Sequence, residues 1–219
     1  MRLARLFKRE CIRIYGSCNT YYPCPDMFTA LIDVGRDIFC PILSSYKNLK
    51  DWNLPTIAII LESPHKFEYD YNGLPIGPAR GPTGVNIRSC LIKHLKGFNL
   101  EADQYKVLLV EAISYQCSNG LPVDQDEKPK KKDILFERIW NSGGCRSFEE
   151  RLRLYKPTII INSCTGGTSG IESRTLSTSL NALVQRSIDG VSPGIRKFYS
   201  SHPSSKHFKE DGNLKEVPL

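Results

Sequence analysis

No stretch of this chain approaches the roughly 18 consecutive apolar residues of a membrane-crossing helix, so no membrane partner is expected. The opening Met1-Arg2-Leu3-Ala4-Arg5-Leu6-Phe7-Lys8-Arg9 lacks the long apolar core of a secretory signal, and a cytoplasmic protein is the expectation. Close Cys-x-x-Cys spacing, the strong sign of zinc, is missing even though the chain has eight cysteines. A Gly-x-Ser-x-Gly elbow and a phosphate-loop motif are missing too, which argues against an α/β hydrolase acting on a nucleotide. There is no internal repeat, and no low-complexity tract beyond one short lysine run.

What is present fits a soluble globular protein. The 219 residues allow one large domain or a domain with an appendage, and 40% of them are apolar. The net charge of +7 matters less than where it falls. Arg196, Lys197, Lys206 and Lys209 flank a polar segment near the C-terminus, which favours a phosphate-rich substrate. Lys128, Lys130, Lys131 and Lys132 form a second cluster, read either as phosphate contacts or as a solvated loop. Cys90 and Cys164 lie in apolar segments and read as buried thiols.

Residues 1–54 read as mainly helical, with one helix from Arg2 to Ile14 and another from the N-cap candidate Asp26 to Phe39. Strands are expected at 56–61, 106–112, 158–162 and 195–200, and helices at 85–96, 147–155 and 173–186. Residues 118–132 read as a polar loop. Strands alternating with helices imply an α/β fold, a parallel sheet with helices on both faces. The expected domain is 1–219, with a core over 56–208 and an N-terminal helical extension over 1–54 packed on it.

Two distant segments stand where strands spill into loops: Leu61-Glu62-Ser63-Pro64-His65 and His202-Pro203-Ser204-Ser205. In an open parallel sheet that edge is where ligands bind. If the loops meet, a carboxylate and an imidazole face one pocket, the minimum equipment for breaking a glycosidic bond.

In order and spacing these segments resemble the uracil-DNA glycosylase superfamily, nearest to the branch whose first motif reads Gly-Glu-Ala-Pro-Gly. That motif corresponds to residues 61–65, the following acidic pair to Glu68 or Asp70, and the glycine–proline segment to residues 73–77. The stretch from Cys145 to Ile161 looks like the family's cysteine, helix and third strand, and its His-Pro-Ser motif is intact at 202–204. The resemblance implies a three-layer α/β/α sandwich with a central four-stranded parallel sheet, carrying N-terminal helices here, and a DNA glycosylase that acts as a monomer. On this reading Glu62 activates water and stabilises the sugar cation, with Glu68 and Asp70 in reserve. His202 donates to the base oxygen O2. His65, Asn86 and Asn162 contact the base, while Thr83, Ser204, Ser205 and Lys206 hold phosphates. No cofactor is needed, although an iron–sulfur cluster on cysteines including Cys117 and Cys145 is the alternative.

The chain departs from the family at Leu61, at His65 and, above all, at Glu111, which stands where uracil-removing members carry an asparagine. A carboxylate accepts from the exocyclic amine of cytosine, and a protonated one also donates to N3. Removing ordinary cytosine would destroy the host genome. The expected target is therefore a modified cytosine in foreign, phage DNA. The alternatives are a uracil-DNA glycosylase in base-excision repair and a catalytically silent DNA-binding module of the same fold.

Overall fold

The computed structural model describes residues 2–18, 22–42, 53–117, 128–166 and 179–218. Leu3, Leu6, Phe7, Cys11 and Ile14 recur at helical spacing and form the inward face of α1 (Arg2–Tyr15), where Phe7 and Cys11 are buried. The helix expected over residues 26–39 is instead a hairpin. Strands β1 (Met27–Asp33) and β2 (Ile38–Pro41) pair antiparallel. Ala30 and Ile32 alternate inward with the period of a strand. The Asp33 carboxylate accepts the Arg36 N–H at 2.9 Å, and Asp37 takes a left-handed φ of 61°, which closes the turn. The segment before residue 54 therefore adds strands to the sheet and is not purely helical.

β3 (Thr56–Leu61) is buried along its whole length. It leads through a long loop into α2 (Pro82–Leu95) and then β4 (Gln104–Glu111). The expected polar loop ends early, because α3 (Lys128–Ile139) takes up the lysine run. A π-turn at Trp140–Gly144 joins it to α4 (Cys145–Tyr155). β5 (Ile159–Asn162), α5 (Leu180–Val191), β6 (Arg196–Tyr199) and a short β7 (Lys215–Val217) complete the chain.

The result is a mixed seven-stranded sheet in the order β2-β1-β4-β3-β5-β6-β7. Its four middle strands, β4-β3-β5-β6, are mutually parallel, whereas β1, β2 and β7 run antiparallel to their neighbours. The expectation of a four-stranded parallel sheet thus needs correcting to a mixed one. The extra strands are short or carry one buried face, so they lack the unbroken apolar runs that mark central parallel strands.

Side chains alternate between two cores. Ala58, Ile60, Leu108 and Val110 pack under α1, α3, α4 and α5. Ile57, Ile59, Leu61 and Leu109 pack under α2 on the other face. The chain leaves β3 for β4 on one side and reaches β5 on the other, so the carboxyl end of β3 is a topological switch point.

Candidate active site

The loops that follow β3, β5 and β6 open a cleft of about 330 Å³ at this switch point. Its lining includes Glu62, His65, Phe67, Glu68, Thr83, Lys132, Thr165, His202 and Ser204. The two motif segments, 140 residues apart in sequence (202 − 62), therefore share one cavity.

Glu62 is the first residue beyond β3 and only 4% exposed. Its oxygens accept hydrogen bonds from the Lys132 ammonium at 2.7 and 2.8 Å and from the Thr165 hydroxyl. Burial raises the Glu62 pKa above the ordinary carboxylate value while Lys132 pulls it back. Burial works against the charge on Lys132 as well, but the Glu62 carboxylate outweighs it and holds Lys132 above the usual lysine value. Lys132 comes from the first turns of α3, a helix with Leu135, Phe136 and Ile139 fully buried in the core. The buried Asp133 carboxylate lies 3.6 Å from the same ammonium.

His202 lines the same cleft as this pair. Its Nδ1 accepts the backbone N–H of Ser204 at 3.2 Å and sits 2.8 Å from the Ser204 hydroxyl. A backbone N–H can only donate, so the neutral ring carries its proton on Nε2. Burial, with Lys132 and His65 nearby, lowers the His202 pKa to about 4, so the ring is neutral at physiological pH. Asn86 fixes this loop: its Nδ2 donates to the Pro203 carbonyl at 2.6 Å. Asn86 is thus a buried brace between α2 and the His-Pro-Ser loop and does not line the cleft.

Glu68 closes one wall. Its two oxygens accept the Ala79 N–H at 2.7 Å and the His65 N–H at 3.2 Å. Burial raises its pKa to about 7 against the pull of those two bonds. His65 lines the cleft and caps the turn Lys66–Glu68, with its ring 4.9 Å from Phe67. At Gly84 an added Cβ would stand 2.0 Å from the Ala79 carbonyl, so only glycine lets α2 approach this wall so closely.

Other expected site residues lie elsewhere. Asp70 is not a cleft carboxylate; its Oδ1 accepts the N–H groups of Asn72 and Leu74 and closes a turn. Asn162 donates to the Asn181 carbonyl and Gln185 and accepts the Cys164 N–H, so its amide is committed to the fold. Ser205 caps the turn Lys206–Lys209, and Lys206 is exposed outside the cleft lining. Glu111 is 1% exposed, pairs in register with Leu61 and is absent from the cleft lining. Its Oε2 has no hydrogen-bond partner among the described residues. Burial, then the carboxylates of Glu68, Asp26 and Glu62, push its pKa well above the usual range, so it is held neutral.

Cys117 is fully buried in the core, and the Cys145 thiol lies 3.1 Å from the Ser187 hydroxyl. Among the described residues no group of three or more His, Cys, Asp or Glu side chains is arranged to hold a metal ion.

Sequence reasoning passed over Lys132 as a partner of Glu62, and it passed over Phe67 and Thr165 altogether. The helical spacing of Leu135, Phe136 and Ile139 was a usable signal for α3, and hence for a lysine on an ordered element. No family model matches the chain, and neither does any curated protein or solved structure. No helix among the described residues is long and apolar enough to cross a membrane.

Proposed function

We propose that the protein is a DNA glycosylase that hydrolyses the N-glycosidic bond of an extruded pyrimidine nucleotide, leaving an abasic site. One observation carries the reading: a buried carboxylate, Glu62, and a neutral imidazole, His202, line one cleft at the carboxyl edge of the sheet. The parallel order β4-β3-β5-β6, with both motif loops at its carboxyl end, supports the likeness to the three-layer fold of the uracil-DNA glycosylase superfamily.

As the bond from C1′ to the base nitrogen breaks, its electron pair leaves with the base and the sugar becomes cationic. Ionised Glu62 stabilises that cation and takes a proton from the water whose oxygen bonds to C1′. The Nε2–H of His202 donates to the base oxygen O2, where negative charge gathers. The base then acquires a proton from solvent. Phe67 supplies an aromatic face to the cleft, and Thr83 and Ser204 add hydroxyls to its lining. Extrusion of the nucleotide costs a few kcal/mol of stacking and pairing, which contacts in the cleft offset.

O2 is common to uracil and cytosine, so the reading covers uracil in repair as well as a modified cytosine in foreign, phage DNA. Glu111 does not line the cleft and so supplies no acceptor there for the cytosine amine. The test is incubation with duplexes carrying uracil, 5-hydroxymethylcytosine or its glucosylated form, followed by alkali cleavage and identification of the released base. Release from at least one duplex is expected, and Glu62→Gln or His202→Ala lowers it by about 10²–10³-fold. Binding of every duplex with release from none leaves a DNA-binding module of the same fold and ends the glycosylase reading.

A further inference from the structure

We propose that the finger formed by residues 66–76 is a wedge that enters a DNA duplex, with the Tyr71 ring taking a place in the base stack; the proposal rests on the glycosylase reading for its duplex DNA partner and for the nucleotide that leaves the stack. Tyr71 is 97% exposed, whereas its near neighbour Tyr69 is buried. Phe67, Leu74 and Ile76 are each between 44% and 55% exposed, so with Tyr71 four exposed large hydrophobic side chains crowd into ten residues. An aromatic ring left in water on a mobile loop explains nothing. This finger, however, is held rigid.

Its tip is a turn in which Asp70 accepts the N–H groups of Asn72 and Leu74 at 2.9 and 2.8 Å, and Gly73 takes a φ of 76°. Its stem is an antiparallel bridge between Tyr69 and Pro75, extended by the bond from the Ile76 N–H to the Glu68 carbonyl at 2.8 Å. Its base is clamped twice. The Tyr69 hydroxyl donates to the Tyr22 carbonyl at 3.2 Å, and the Arg80 guanidinium donates to the Ile76 carbonyl at 2.6 Å. A ring fixed in this way loses little conformational freedom on binding.

Charge and position select the partner. Lys66, Arg80 and Arg88 are exposed around the finger base, while Asp70 is committed to its own turn and Glu68 is buried. The surface is therefore suited to phosphates. The finger also springs from the cleft, since Phe67 and Glu68 belong to both. A nucleotide drawn into the cleft leaves a gap in its stack, and inserted apolar side chains are a general way to open and fill a base step.

Binding is measured with the intact chain carrying Glu62→Gln, in which base release is suppressed. Probes are a duplex with a stable abasic analogue and the matching single strand. Tyr71→Ala is expected to weaken duplex binding by about tenfold or more, with Tyr71→Phe restoring it, because stacking and not the hydroxyl is required. Single-strand binding is expected to change by less than about twofold, because an open strand has no paired step to wedge apart. The indole emission of Tyr71→Trp is expected to be quenched by the duplex. Unchanged duplex affinity in Tyr71→Ala overturns the wedge, as does an equal loss on both probes. Emission indifferent to DNA also overturns it. A Tyr71-dependent duplex complex, with no base released from any substrate by the chain that keeps Glu62, removes the glycosylase reading and keeps the wedge. Base release by the chain that keeps Glu62, unaffected by Tyr71→Ala, does the reverse.

Discussion

Lys132 acts on both groups of the proposed chemistry in the same direction. A nearby cation lowers the pKa of any group it faces, which keeps Glu62 ionised and His202 neutral. Both groups work in their deprotonated forms, so activity is lost as pH falls and a proton is added to either. His202 takes one only near pH 4, whereas Glu62, raised by burial, takes one above the ordinary carboxylate value of 4.5. The acid limb of kcat/KM is therefore expected to report Glu62. Lys132→Met removes the cation and is expected to shift that limb upward by about 1–3 pH units, a change visible in a pH–rate profile. An unmoved limb would separate Lys132 from the chemistry. The positions of Glu62 and His202 were legible in the sequence, because each follows an apolar strand run. Lys132 was not, because a buried ion pair between residues 62 and 132 leaves no local pattern.

At the scale of elements, α2 holds the segment that follows β6 at two points. Asn86 reaches the Pro203 carbonyl, and one helical stretch further on His94 Nε2 meets the Phe208 carbonyl at 2.6 Å. The position of His202 therefore depends on a helix contributed by a different part of the chain. Asn86→Ala leaves the Pro203 carbonyl without that donor, at an expected cost of about 1–3 kcal/mol in urea unfolding. With the loop free to shift, kcat is expected to fall by up to about 10²-fold, since displacements near 1 Å matter that much. A stability loss with kcat intact would mean that the loop is held elsewhere. The helices at 82–95 and 145–155 were legible from apolar spacing. The hairpin of β1 and β2 was not, because Phe28, Leu31 and Ile32 also fit a helical stripe and only pairing with β4 decides between the periods.

For the whole molecule, stability and site share a set of buried acids. Glu68 has a pKa of about 7 in the fold against 4.5 as an ordinary glutamate, and it is 5% exposed. The folded state thus keeps a proton that the unfolded chain gives up between about pH 4.5 and 7. Folding stability from this group is full below pH 4.5 and lost as pH rises through 7, by something on the order of 3 kcal/mol. Glu68→Gln cannot ionise. Its stability relative to the parent protein is expected to improve between pH 5 and 8 by up to that amount, as measured by urea midpoints at the two pH values. A constant difference would show that Glu68 does not hold the proton. Glu111, held neutral in the same region, contributes with the same sign.

The amino-acid sequence by itself determined where the central parallel strands run, since strands covered on both faces must be apolar throughout. It also determined which polar residues follow β3 and β6, since chain order alone places them. Only the tertiary structure decided that Glu62 and His202 share a cleft, that Lys132 pairs with the first, and that Glu111, Asn162 and Asp70 serve the fold. Those roles depend on distances between residues remote in sequence, and on how much water each carboxyl group retains. Both are set by packing.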